Sequence, residues 1–401
     1  MIAKKAMKII KSIQIHFKKK KELKRHGITF IPNLELYNYD QKTIVFISNS
    51  LPKYDQDSGS NRLKEIIISY KEMGYNCIIC VENIFKIDKY VTFFKELGVI
   101  VYLESNQFKN YIAFLQSIPH IDYIWYNGPK NFNKYLYKLS KCFPLSKSIF
   151  DMIDIHFLRY KRAIELDPFR ISLRKKYYHY YKIETQLAKK ADIIIAISEV
   201  EKEIMSQYLK ESLILLISNI HYCKIEESKI APFEKRNDIL FIGSSHEPNI
   251  DAIHYLYEEI MPKVWLKLPN IKVNVIGNVK NKIHSISHPN FKLLGFVENI
   301  ESYFISSKLM VAPLRYGAGV KGKIGQSFEY FLPVVTTPIG AEGMFLENKK
   351  NAYISETADE FSKQIIKLYN DKEIWSKLSD NSAQSLYPFS KEKLKSVLKE
   401  I

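Results

Sequence analysis

Three features of the sequence predict an α/β chain of two Rossmann-like domains that face each other across a cleft. Short β-rich runs alternate with helical patterns from residue 43 onward, this alternation comes in two series, and a polar stretch interrupted by proline separates them. The length of 401 residues agrees, since about 150 residues per domain leaves room for two large ones. Alternation of this kind builds parallel sheets covered on both faces, with ligands bound outside the carboxyl ends of the strands.

The elements follow in order. Residues 1–27 form a basic extension. The first domain, 40–225, opens with the strand TIVFISN, a loop rich in Asp, Gly and Ser, and the helix NRLKEIIISYKEMG. NCIICV, a helix around VTFFKEL, VIVYL, a helix around FKNYIAFLQ, and DYIWY come next. SIFDMI (148–153) and ADIIIAIS (191–198) flank a long, basic, tyrosine-rich helical segment, and LILLIS (213–218) ends the series. Apolar content drops in EESKIAPFEKRND, so the linker is placed at 226–238. The second domain, 239–385, runs through DILFIG, the helix IDAIHYLYEEIM, IKVNVIG, FKLLG and a short helix near 300–305. KLMVAPL, a helix across 320–331, PVVTTPIG and closing helices complete it, the last of them in 386–401.

Hydrophobic residues make up 46% and charged residues 26%, which excludes a disordered chain and a collagen-like one. Four cysteines argue against a disulfide scaffold. Cys77 and Cys80 form a CxxC, but within a strand an offset of three sends them to opposite faces, so both read as core. The formal charge of +17 is concentrated: residues 1–26 hold ten Lys/Arg against the single acid Glu22. There Ile2, Ala6, Ile9, Ile10, Ile13 and Phe17 recur at helical spacing among lysines. Such a helix either lies on an anionic membrane or stays solvated. Lysines interrupt every apolar run, so it is not a secretory signal, and no stretch reaches the ~18 apolar residues of a span. The expected location is cytoplasmic, with the inner membrane face as a peripheral site.

The chemistry concentrates in VAPLRYGAGVKGKIGQSFEYFLPVVTTPIGAEG (311–343). A buried strand runs into Gly317, Ala318 and Gly319, and a helix is expected from about Val320. Small residues let backbone amides approach an anion, and a helix start adds unpaired N–H groups and partial positive charge. Arg315, Lys321 and Lys323 add cations. In a helix that has begun by 321, Lys321 and Lys323 diverge by about 200 degrees and cannot both face one ligand, whereas Lys323 and Gln326 share a face. A Gly-rich turn before a lysine-bearing surface helix is the alternative.

The run from FIGSSHEPNIDAIHYL through LPNIKVNVIG and FKLLGFVENI to the segment above resembles the carboxyl-terminal domain of GT-B glycosyltransferases, particularly glycosyltransferase family 4. LPKYDQDSGSNR, FDMIDIHFLRYKR and ADIIIAISEVEKEIM resemble that family's first domain. The resemblance implies a nucleotide-sugar donor, with Lys323 and Arg315 neutralising its diphosphate beside residues 317–319, Gly243 and Ser244. It implies Gln326 on the ribose or sugar, the backbone at Phe296 and Val297 on the base, Gly59 and Glu342 near the transferred sugar, and His156 directed at that sugar. Where many members carry two glutamates around the glycine loop, this chain has no acid near Tyr316 and has Gln326. The Arg or Lys pair usual after the second domain's first strand is replaced by GSSHEPN.

Other readings stand beside these. His156 is either directed at a ligand or satisfied locally, and Asp151 and Asp154 are expected to pair with Arg159 or Arg162. Asp55 and Asp57 form a DxD that elsewhere holds a divalent metal. Lysine and helix amides already supply the charge, so no metal and no cofactor are expected. The resemblance implies retention at the anomeric carbon, a glycan, glycolipid or lipid-linked acceptor, and a place in surface polysaccharide synthesis. The competing functions are a nucleotide-sugar epimerase of the same fold and a basic nucleic-acid-binding protein. The concentration of charge in residues 1–26 argues against the latter, so no nucleic-acid partner is expected.

Overall fold

The computed structural model describes residues 34–401 except 82–86, 104–107, 109 and 284, and in addition residues 14 and 17. The basic amphipathic helix expected over residues 1–26 otherwise lies outside the described residues.

Two all-parallel sheets form, as the alternation predicts. The first contains β1 (Thr43–Ser48), β2 (Asn76–Val81), β3 (Ile100–Val101), β4 (Tyr123–Asn127), β5 (Lys147–Asp151), β6 (Ile193–Ala196) and β7 (Leu213–Leu216), in the order β3-β2-β1-β4-β5-β6-β7. The second contains β8 (Asn237–Ile242), β9 (Val273–Ile276), β10 (Phe291–Gly295), β11 (Ser307–Ala312), β12 (Val334–Thr336) and β13 (Tyr353–Ile354), in the order β10-β9-β8-β11-β12-β13. Each order reverses beside its first strand. The loops after β1 and β8 therefore open into the crevice where such sheets receive ligands.

Burial explains the continuous apolar runs. Every residue of β1 and β2 is buried, because helices cover both faces of a parallel sheet. Alternate side chains feed separate cores: Val45 and Ile47 pack with Cys80 on one face, Ile44 and Phe46 with Cys77 on the other. The two cysteines thus lie on opposite faces of β2, both buried.

In the first domain the helices are α1 (Ser58–Glu72), α2 (Lys89–Glu96), α3 (Tyr111–Leu115), α4 (Pro129–Cys142), α5 (His156–Leu166), α6 (Ile171–Tyr181) and α7 (Glu199–Tyr208). In the second they are α8 (Glu247–Tyr255), α9 (Met261–Trp265), α10 (Glu301–Ser306), α11 (Gly322–Phe328), α12 (Pro338–Ala341), α13 (Ala358–Asn370), α14 (Lys372–Asp380) and α15 (Ser382–Ser385). The last helix, α16 (Lys391–Leu398), returns to the first domain. It buries Leu394 and Leu398 in that domain's core and pairs Lys391 with Glu65 and Lys395 with Glu72.

Three boundaries differ from expectation. The helix expected over 320–331 occupies only Gly322–Phe328, because Lys321, at the N-cap position, has the non-helical ψ of 83°. β13, two residues long, carries too little pattern to be read from sequence. β8 begins inside the expected linker, which is anchored by the buried Arg236 donating to the carbonyls of Ala231, Phe304 and Ser307. Among the described residues no helix is long and apolar enough to cross a membrane.

Candidate functional site

A cavity of about 320 Å³ lies between the facing ends of the two sheets and takes its walls from both domains. The turn after β8 contributes Gly243 and Ser244, α8 contributes Asn249, and the segment after β11 contributes Tyr316, Gly317 and Ala318. Lys321, Lys323 and Gln326 line it from the start of α11. Gln56, Asp57 and Ser58 before α1, with Asp154 and Arg159, close it from the first domain.

Two buried lysines stand in its wall. Lys323 donates from Nζ to Asn249 Oδ1 at 2.6 Å and lies 4.3 Å from the centre of the Phe241 ring. Burial, with the neighbouring charge of Lys321, pushes it down to about 7. Lys321 donates to the Gly319 carbonyl at 2.5 Å, and burial brings it to about 8 although Glu342 and Glu201 favour its charge. Both lysines line one cavity, contrary to the expected divergence. Lys321 sits at the N-cap, outside the helix, so the angle of helical rotation does not separate them.

A set of largely buried hydrogen bonds and ion pairs joins the loops around this cavity. Glu201 in α7 accepts the Ile155 N–H at 3.1 Å and, across the domain boundary, the Gly319 N–H at 2.8 Å. Burial and the charge of Asp154 raise it to about 8. Gly319 has φ +70°, and a Cβ there would stand 3.0 Å from the Asp154 Cβ, so glycine permits both the turn and the contact. Arg162 donates to the Gly317 carbonyl at 2.7 Å and pairs with Glu342 at 2.8 Å, a second link between the domains. Asp154 pairs with Arg159, whose Nη1 lies 3.4 Å from His246 Nε2. Burial opposes the ionised form of Asp154, but Arg159 and His156 outweigh it and hold this carboxyl below its usual range.

The sequence-derived candidates divide accordingly. Gly243, Ser244, Gly317, Lys323 and Gln326 all line the cavity. Arg315 does not: it pairs with Asp251 at 2.5 Å and lines a neighbouring cavity of about 480 Å³. Gly59 lies in the first turn of α1, with Ser58 rather than Gly59 on the cavity wall. Gly319 spends its amide on Glu201, and Glu342 spends a carboxylate oxygen on Arg162.

His156 is also outside the lining. Its Nδ1 is 2.9 Å from Glu184 Oε1 and 3.0 Å from Asp154 Oδ1, and its ring stacks on Tyr180 at 4.5 Å. Burial lowers its affinity for a proton, but the two carboxylates overcome this and leave it raised. Phe296 is 63% exposed just beyond β10, while Val297 packs against the second core of that domain, and neither lines the cavity. Asp151 pairs with Arg62 at 2.7 Å instead of Arg159 or Arg162. In the DxD, Asp55 binds Lys89 and Tyr90, and Asp57 caps α1.

Sequence reasoning missed Arg159, His246 and Asn249 as cavity residues. For Arg159 a signal existed in its spacing of three from His156 at a strand end; for the other two the turn GSSHEPN offered only its position.

Residues 236–371 match the family model described as glycosyl transferases group 1. A Klebsiella pneumoniae protein described as an uncharacterized 44.6 kDa protein in cps region is 25% identical over 207 residues, 49% of this chain and 53% of that protein. The match thus spans about half of that relative. Among solved structures, Anabaena Alr3699/HepE in complex with UDP-glucose superposes with TM-score 0.65 at 16% identity, covering 89% of this chain and 98% of that one. Sucrose-phosphate synthase from Thermosynechococcus elongatus gives TM-score 0.68 at 11% identity, covering 90% and 98%. A glycosyltransferase from Rickettsia africae gives 0.63 at 15%, covering 90% and 98%. The shared architecture is the GT-B fold.

Proposed function

Because residues 236–371 match the group 1 glycosyl transferase model within a GT-B fold, we propose that the chain moves a sugar from a nucleotide-sugar donor to a hydroxyl acceptor. The observation that carries this reading is the interdomain cavity whose lining brings Lys321 and Lys323 together with the turn at Gly243 and Ser244. Two cations and a helix start suit a diphosphate, whose negative charge grows as it departs. Arg159, held by Asp154, adds a third cation from the first domain. Gln326 supplies an amide that can both donate to and accept from sugar hydroxyls.

In this reaction the bond between the anomeric carbon and the phosphate oxygen breaks, and the acceptor oxygen bonds to that carbon. The acceptor proton passes to an oxygen of the departing diphosphate. With attack and departure on the same face, the anomeric configuration is retained. Protein cations supply the charge stabilisation, so the assignment includes no metal. Enclosure between domains keeps water from consuming the donor.

UDP-sugars are the first donors to try, since solved relatives carry UDP-glucose or UDP with GlcNAc. A glycan or lipid-linked acceptor and a role in surface polysaccharide synthesis are in keeping with the relative from a cps region. The test is thermal shift across a panel of nucleotide sugars, followed by transfer assays with the stabilising donor. A UDP-sugar should raise the midpoint of the native chain and of Leu145→Ser, but much less that of Lys323→Ala. Stabilisation of Lys323→Ala equal to that of the native chain would remove this lysine from the site. Conversion of the donor in the absence of acceptor would favour an epimerase.

A further inference from the structure

The pair α5 and α6 ends in a tip whose composition does not suit water. Leu166 is 49%, Phe169 93% and Ile171 69% exposed, three large apolar side chains within six residues. Along α6 and into the turn that follows it, the exposed residues Ile171, Arg174, Lys175, Tyr178 and Lys182 recur at helical spacing, so aromatic and aliphatic groups share a stripe with cations. Residues 156–182 hold eight Lys/Arg against Glu165 and Asp167. Arg159 and Arg162 are committed inward and Arg170 and Lys176 face Glu247, which leaves Lys161, Arg174, Lys175 and Lys182 exposed.

We propose that the tip of the α5–α6 pair is a docking surface for an anionic lipid bilayer, with Phe169, Leu166 and Ile171 entering the headgroup boundary and the surrounding cations meeting lipid phosphates. The charge pattern selects this occupant: exposed apolar side chains beside a helix whose exposed face carries Arg174 and Lys175 match an interface that is hydrocarbon inside and negative outside. A nucleic acid would use the cations but leave Leu166 and Ile171 in water.

The location gives the contact a purpose. The tip abuts the second domain, Arg170 pairing with Glu247 at 3.3 Å. Leu166, Asp167, Arg170 and Leu173 wall the cavity of about 480 Å³, and Tyr316 lines both that cavity and the donor cavity. A bilayer at the tip therefore stands beside a cavity that shares its Tyr316 wall with the donor cavity. This deepens the proposed function by placing the acceptor's lipid in the membrane while its hydroxyl enters the cleft. Vesicle binding requires no turnover, so the docking surface and the transferase reading can fail separately.

The test uses the full chain and vesicles of phosphatidylcholine with about one third phosphatidylglycerol, cosedimented at low and physiological salt. Phe169→Asp combined with Ile171→Ser should lower partitioning on the order of tenfold, with an unchanged thermal midpoint, since both positions are exposed. Leu145→Ser, 90% exposed in the loop before β5, should leave partitioning unchanged. A Phe169→Trp variant reports the contact directly: the emission of the introduced indole should shift to the blue on these vesicles and be quenched by brominated lipid. No binding of the full chain, equal binding by the double variant, or an indole signal from Phe169→Trp that ignores the vesicles would each overturn the proposal. Binding lost on removal of residues 1–26, while the Phe169→Trp emission never shifts, would assign the membrane contact to that segment instead.

Discussion

Lys323 offers a quantitative test of the electrostatics, because its proton is linked to the ligand's charge. Held at about 7 by burial, it is only ~9% protonated at pH 8, and a bound diphosphate restores its charge, so binding takes up ~0.9 proton there. Lys321, at about 8, is half protonated at that pH and adds up to ~0.5 proton. More than about one pH unit below 7 Lys323 is already charged and uptake vanishes, while above 7 affinity falls by about tenfold per pH unit for one linked proton. Titration calorimetry of UDP at pH 8, in buffers of different ionisation enthalpy, measures the uptake. The native chain should give between ~0.9 and ~1.4 protons and Lys323→Met no more than ~0.5. Equal uptake in the two proteins would refute the assignment of the lysine to the anion. The ligand-free chain gives a second readout. Because the folded pKa lies below 10.5, the penalty is full below pH 7 and lifts as pH rises toward 10.5. Lys323→Met should therefore raise the midpoint at pH 7, by about 2–4 °C for each kcal/mol relieved.

Three further outcomes are expected. Glu201→Ala strands the Ile155 and Gly319 N–H groups at about 1–3 kcal/mol each and slows transfer on the order of tenfold or more, whereas Glu201→Gln keeps one oxygen for both donors and restores most of the rate; transfer kinetics beside thermal melts separate the two. Gly277→Ala would bring a Cβ to 2.2 Å from the Gly243 carbonyl oxygen at φ +116°, so it should destabilise by about 1–3 kcal/mol in urea unfolding and weaken UDP binding by displacing the β8 turn. The stability His156 gains from its carboxylate partners is fully present below pH 6.5 and is lost as pH rises through its raised folded value; melts of His156→Gln should lack that decline.

Period and composition carried the fold. Strand cores such as TIVFIS and NCIICV are apolar throughout because both faces are covered, and that property is local enough to read. The glycine-bearing turn, the helix after it and the shared cavity-facing position of Lys323 and Gln326 were legible for the same reason. Partners distant in the chain were not. Nothing beside Arg315 announces that Asp251 holds its guanidinium, and nothing in the DIH segment announces Glu184. The sequence Ser198-x-x-Glu201 shows how a local pattern can mislead. It has the spacing of a reciprocal cap, and Ser198 does cap α7, yet the Glu201 carboxylate turns away to hold Gly319 of the other domain. Long-range electrostatics of this kind depend on topology before they depend on residue type.

The return of α16 to the first domain has a mechanical consequence. The chain crosses between the lobes twice, once after β7 and once before α16, and two adjacent crossings behave as two pins of one door, restricting the swing to a single axis. The contact of Arg170 with Glu247, which links the two lobes, then breaks when they part. The same arrangement forbids a simple dissection. A fragment stopping after β7 would lose Leu394 and Leu398 from its interior and should aggregate, whereas a fusion that carries α16 behind a short tether should remain monomeric.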